Sequence, residues 1–142
     1  MNVLIDTNVI LDVLGKREPF FQHSTSILML AAKNKISASI TANSLTDLHY
    51  LLKKYLKNNE QIKNALKSLI EILDIVDITK NDCLKAFDLP MDDYEDALLA
   101  FCAKRVKADY IITRNIKDFL NSPVNPITPE DFISRFFAEE NI

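Results

Sequence analysis

MNVLIDTNVILDVL, residues 1–14, is the stretch that decides the fold. Val3, Leu4 and Ile5 form an unbroken apolar run, which reads as a short strand buried on both faces. The run stops at Asp6-Thr7-Asn8, and apolar residues return at Val9, Ile10, Val13 and Leu14 with helical spacing. The pattern therefore places an aspartate at the carboxyl end of the central strand of a parallel sheet. Ligands of open α/β sheets bind outside those ends, so Asp6 is the first candidate for chemistry.

Working outward, Gly15 to Pro19 breaks the helical rhythm, and Pro19 is expected to open a helix that runs to about Lys33. Ser37 to Ile40 reads as a weak second strand, followed by a polar turn over Thr41 to Ser44. Leu45, Leu48, Leu51, Leu52 and Tyr55 mark the next helix, with Asp47 near its first turn. Ile62, Leu66, Leu69, Ile70 and Leu73 mark another, from about Glu60. Ile75 to Ile78 is the third strand, Lys80 to Leu89 a short helix ended by Pro90, and Asp93 to Val106 a strong helix. Its small residues Ala97, Ala100 and Ala103 permit close packing on a sheet. Tyr110 to Thr113 is the fourth strand, Ile116 to Leu120 a helical turn or two, and a short edge strand is expected near Ile127. Thr128-Pro129-Glu130-Asp131 has the features of a helix start, and residues 138–142 are expected to fray. Strands alternating with helices indicate a parallel α/β sheet with right-handed crossovers.

At 142 residues, 48% of them hydrophobic and 26% charged, the chain suits one globular domain over residues 1–142. No apolar run is long enough to span a bilayer and no leader precedes the first strand, so a soluble cytoplasmic protein is expected. The net charge of −3 argues against a general nucleic-acid coat, and any nucleic acid must be held locally or through metal ions. The single glycine, Gly15, excludes a P-loop and a glycine-rich dinucleotide loop. Cys83 and Cys102 lack metal-ligand spacing and read as reduced thiols; His23 and His49 read as structural.

Acids or amides stand at corresponding places along the chain: Asp6 after the first strand, Asp47 after the second, Asp93 and Asp96 at the helix leading into the fourth, and Asn115 and Asp118 after the fourth. In a parallel sheet these share one edge, where the carboxylates can converge. All-oxygen sites suit hard cations, Mg²⁺ or Mn²⁺. Such ions acidify water and hold a phosphodiester for in-line attack without a nucleophilic side chain. Taken singly, Asp93 and Asp96 are also ordinary first-turn acids, as are Asp92 and Glu95, and Asp47 an ordinary solvated one. Thr7, Asn8 and Thr113 are placed either to orient Asp6 through hydrogen bonds or to satisfy a strand-end or turn backbone. Arg114 and Lys117 flank the acids and are candidates for phosphate contact or for solvated salt bridges. Lys53, Lys54, Lys57, Lys63 and Lys67 form a basic stripe that is either an RNA track or a solvated face.

In combination these segments resemble the PIN-domain family, and its VapC-like toxin ribonucleases in particular. The resemblance rests on LIDTNVILD at 4–12, ITANSLTDLHYLL at 40–52, DYEDALLAFCAKRVKADYIITRN at 93–115 and IKDF at 116–119. It implies a three-layer α/β/α fold with a central parallel sheet of four to five strands. It also implies a metal-dependent endoribonuclease, the toxin of a toxin–antitoxin pair, acting as a homodimer on RNA and restrained by a small antitoxin protein. Position by position, Asp6 and Asp96 match metal-binding acids, and Asp93 is a further ligand or support. Asp47 falls where the family usually has Glu. Asn115 stands where some members carry a fourth acid, with Asp118 its possible substitute. The competing readings are a non-catalytic PIN module that binds RNA or a protein, and a receiver-type signalling domain. The latter requires an aspartate after the third strand, where this chain has Ile78-Thr79-Lys80. Phe20, Phe21, Phe136 and Phe137 are candidates for a dimer or antitoxin surface.

Overall fold

In strand β1 (Asn2–Ile5), Val3, Leu4 and Ile5 are fully buried. The strand's alternation sends Val3 and Ile5 into one apolar cluster and Leu4 into another. A strand that is apolar on both faces needs cover on both, and the remaining chain supplies it. The computed structural model describes residues 1–140 and 142.

The elements follow in the order α1 (Thr7–Leu14), α2 (Phe21–Ala32), β2 (Ser37–Thr41), α3 (Ala42–Leu51), α4 (Asn59–Ile72), β3 (Asp74–Val76), α5 (Lys80–Ala86), α6 (Tyr94–Arg105), β4 (Tyr110–Ile112), β5 (Pro126–Ile127) and α7 (Pro129–Phe136). Short 3₁₀ turns cover Leu52–Lys54 and Ile116–Phe119. The five strands are all parallel in the order β3-β2-β1-β4-β5, with Leu4 facing Ser39 of β2 and Ile111 of β4. The chain lays strands outward from β1 to β3, then crosses back to add β4 and β5 on the other side. The order reverses between β1 and β4, which is the crevice where α/β sheets take ligands.

Side chains from α1, α2, α3, α4 and α7 share the cluster that holds Val3 and Ile5. Leu99, Ala100, Cys102 and Ala103 of α6 cover the other face around Leu4 and Ile111, and α5 packs on α6. This is the three-layer α/β/α arrangement. The alanines of α6 do what their size suggests: Ala100 and Ala103 are fully buried and let the helix lie close to the sheet.

Helix starts are set by short polar side chains. Asn58 accepts from the Gln61 amide (2.9 Å), Asp93 from the Asp96 amide (3.0 Å), and Thr128 from the Asp131 amide (3.1 Å) ahead of Pro129. Thr79 and Asp82 form a reciprocal capping box on α5.

Several expected boundaries differ: the third strand ends at Val76 rather than Ile78, and the helix after it at Ala86 rather than Leu89. The helix expected from Pro19 begins at Phe21. No polar turn forms over Thr41 to Ser44, because β2 passes straight into α3 at Ala42. The hydroxyls of Thr41 and Ser44 bond each other (3.0 Å), which satisfies both without a loop. The tail expected to fray is tied down in part: the Glu140 amide donates to Phe137 (3.0 Å) and Ile142 packs against the core, while Asn141 lies outside the described residues.

Two fully buried acids lock elements together. Asp82 of α5 receives two hydrogen bonds from Arg105 of α6 (2.8 and 2.9 Å). Asp12 of α1 takes Arg17 at 3.2 Å and, through both oxygens, Arg114 from the segment after β4. The Arg114 guanidinium also lies 4.0 Å from the centre of the Phe20 ring.

Glycine scarcity shapes the helix ends. A Cβ at Gly15 would stand 2.9 Å from the Leu11 carbonyl and 3.1 Å from the Tyr55 ring, so the one glycine permits a close approach. Lys16, Asn34, Lys107 and Asn121 instead adopt positive φ, where a side chain is strained. Lys107, exposed and at φ 59°, follows α6. Lys107→Gly is expected to raise stability by about 1 kcal/mol, read as a higher urea midpoint at unchanged slope. Arg114→Ala leaves Asp12 buried with one partner and is expected to cost about 3 kcal/mol in the same measurement. Arg114→Lys, which lacks the two-pronged fork, is expected to recover only part of the loss.

Candidate functional site

Asp6 leaves β1 at the point where the sheet order reverses, and its own amide continues the ladder to the Ile112 carbonyl (2.9 Å). Its carboxylate caps α1. One oxygen accepts from the Thr7 amide (2.8 Å); the other accepts from the Thr113 hydroxyl (2.9 Å) and the Asn8 side-chain amide (3.2 Å). Thr113 is fully buried at the end of β4 and its hydroxyl in turn accepts from the Asn115 amide (3.0 Å). The Asp6 carboxylate is thus fixed from both strands that flank the crevice.

A cleft of about 400 Å³ opens beside it, and Asp6, Asp47, Asp93, Glu95 and Asp96 all line it together with Asn8 and Asn115. Its floor continues into the hydroxyl chain Thr7–Ser44–Thr41, at 3.2 and 3.0 Å. Asp93 and Asp96 also border a second recess, shared with Lys117 and Asp118. None of these acids forms an ion pair among the described residues.

The accumulated negative charge shows in the acidities. Burial, then the charges of Asp93, Asp6, Asp118 and Glu95, push the Asp96 carboxyl up to about 7. Burial, then Asp47, Asp93 and Asp6, raise Glu95. Burial also raises Asp6, against the opposing hydrogen bonds from Thr113 and Thr7. Asp118, although lining the adjoining recess, contributes to the fields at both Asp6 and Asp96.

A family model described as the PIN domain matches residues 2–117. The chain belongs to the PIN-domain family. Nothing among the curated proteins matches it. Among solved structures it is similar to VapBC2 from Rickettsia felis bound to a DNA fragment from their promoter, at 25% identity and a TM-score of 0.71, with 90% of this chain and 98% of that chain covered. A toxin–antitoxin complex from Klebsiella pneumoniae matches at 21% identity and a TM-score of 0.67, covering 89% of this chain and 97% of the other. VapC20 of Mycobacterium tuberculosis, a sarcin–ricin loop cleaving toxin, shares the fold at 11% identity and a TM-score of 0.61, with coverages of 77% and 86%.

Within this PIN fold most of the expected residues meet. Asp6, Asp47, Asp96, Asp93, Asn8 and Asn115 share the cleft, and Thr113 orients Asp6 as the sequence suggests. Thr7 contributes to Asp6 through its backbone amide; its hydroxyl donates to Ser44 instead. Asp93 spends one oxygen capping α6. Of the two readings of Arg114, phosphate contact and an ion pair, the structure has the ion pair, buried rather than solvated: its guanidinium is turned onto Asp12, because an acid with no exposure cannot be left without a strong partner. Asp12 was missed for a plain reason: inside an amphipathic pattern it looks like any polar helix position. Glu95 was dismissed as a first-turn acid, yet it lines the cleft next to Asp96. Its signal was that consecutive helix residues both border a site at a helix's start.

The donor set fits a hard divalent cation chemically. It is all oxygen, Asp6 has both oxygens prealigned, and the charge crowded around Asp96 lacks an internal counterion among the described residues. No three of the described His, Cys, Asp or Glu side chains are already gathered as an ion cage.

A folded-state acidity near 7 for Asp96, against an ordinary value near 4, means the native state binds more protons than the unfolded chain between those limits. This contribution to stability is therefore lost as pH rises from about 4 to about 7. In EDTA, Asp96→Asn is expected to stabilise the fold at pH 8 by on the order of 1 kcal/mol, a value discounted for solvent contact, and the gain is expected to vanish near pH 4. Urea titrations at the two pH values check this.

Proposed function

We propose that the chain is a Mg²⁺- or Mn²⁺-dependent endoribonuclease, the toxin of a toxin–antitoxin pair. One observation carries the reading: five carboxylates converge on the crevice at the end of the central strand, and the nearest arginine, Arg114, is committed elsewhere. Such a concentration of charge is unfavourable unless it serves a cation.

Asp6 and Asp96 would hold the ion, with Asp47 and Asp93 in support and Glu95 beside them. A bound ion of this kind supplies an acidified water and a charge that steadies the phosphodiester. The chain's own contribution is positional. Thr113, Asn8 and the Thr7 amide fix the Asp6 carboxylate, so its orientation costs nothing when substrate arrives. Lys117, exposed beside Asp118, is the cation free to meet a phosphate in place of Arg114. The hydroxyls of Thr41 and Ser44 bond each other rather than a base, which argues against a serine-type nucleophile at this edge.

An antitoxin partner is supported by the similarity to a toxin–antitoxin complex. A homodimer and a cytoplasmic location belong to the same reading. No described helix is long and apolar enough to cross a membrane. The second reading, a non-catalytic module that binds RNA or a protein, rests on Asp47 standing where the family usually has Glu and Asn115 where some members carry an acid.

Purified protein with mixed RNAs in Mn²⁺ or Mg²⁺ separates the two. Cleavage is expected, with Asp6→Asn and Asp96→Asn each slowing it by at least about 100-fold and EDTA abolishing it. Thr113→Val is expected to slow it by about tenfold, since it leaves the ligand but removes its orientation. Absence of cleavage with both metals across pH 6–9 would establish the binding-module reading, and cleavage that survives Asp6→Asn would sink the site.

A further inference from the structure

We propose that Tyr50 is a stacking platform for an unpaired nucleobase next to the acids. This rests on the ribonuclease reading above.

Tyr50 lies on α3, three residues after Asp47, and both line the 400 Å³ cleft. It is 70% exposed, which is unusual for an aromatic side chain on a helix whose other face is in the core. Core packing does not explain it, because Leu48 and Leu52 occupy that role. The Lys53 ammonium sits 5.8 Å from its ring centre, three residues further on. Along one line of the helix the order is therefore carboxylate, aromatic ring, ammonium: Asp47, Tyr50, Lys53. Leu11 and Leu51 supply an apolar wall beside the ring.

A nucleotide strand offers matching chemistry in the same order. The scissile phosphate belongs at the acids, the neighbouring base has a planar face for Tyr50, and the next phosphate meets Lys53. A base within a duplex is already stacked on both faces and cannot present one to a side chain. Stacking reads every base similarly, so this position adds affinity with little sequence choice.

The test uses the full chain. Anisotropy of a labelled twelve-nucleotide oligo(A) and oligo(U) is measured on the uncleaving Asp6→Asn protein in Mg²⁺, beside a duplex of the same length. Tyr50→Ala in that background is expected to weaken both single strands about tenfold, Tyr50→Trp to retain them, and the duplex to bind more weakly than either. Lys53→Ala is expected to lower the slope of log affinity against log salt by about one. In the otherwise wild-type chain, Tyr50→Ala is expected to raise KM more than it lowers kcat. Circular dichroism confirms that each variant folds. Equal binding of single strands by Tyr50→Ala and its parent overturns the proposal while leaving cleavage, and so the ribonuclease reading, intact. The same holds if Tyr50→Ala abolishes binding to a co-expressed partner protein but not to RNA. Tyr50-dependent RNA binding by a wild-type protein that cleaves nothing keeps the platform and overturns the nuclease instead.

Discussion

The structure depends on an awkward requirement: an aspartate carboxylate must be held, largely withdrawn from water, at the end of the most buried strand. Burial alone disfavours its charge. The fold offsets this with three short donors, from Thr7, Asn8 and Thr113, which belong to two different elements. Most of what surrounds Asp6 follows from that need. β4 must lie beside β1 so that Thr113 can reach. α1 must start directly after β1 so that the Thr7 amide and the Asn8 side chain are in place. The Asn8 oxygen also accepts from the Arg114 amide at 3.4 Å, so the same residue ties the segment after β4 into the set.

The electrostatics divide into two regimes. Asp12 and Asp82 are buried acids with arginine partners, and they hold elements together. At Asp82 burial raises the carboxyl, yet the Arg105 and Thr79 hydrogen bonds outweigh it and bring it below its ordinary value. Asp6, Glu95 and Asp96 are acids without such partners, and their acidities move the opposite way. One set is stabilised by the fold. The other is carried by it at a cost, as acids crowded into one cleft without counterions are.

Much of this was legible in the sequence. The apolar run before Asp6 and its sharp polar stop carried the central strand, and the small residues of α6 carried its tight packing. The acids shared an edge because a parallel sheet aligns every strand end. What stayed hidden was pairing. Nothing in the local pattern says that Arg114 serves Asp12, 102 residues away, rather than substrate. Glu95 was obscured because a first-turn acid has an adequate local explanation in the helix dipole. Thr41 and Ser44 read as a turn, since capping residues look alike whether a loop precedes the helix or not.

The contact between Thr113 and Asp6 spans 107 residues. Within this sequence β1 is made well before its partner β4. A chain cut short before residue 113 therefore keeps Asp6 with its Thr7 and Asn8 donors but lacks the Thr113 hydroxyl that fixes the carboxylate from the far side of the crevice. Loop closure over such a distance is slow and is rewarded only when the crossover is complete. The cleft is therefore complete only where β4 has paired with β1.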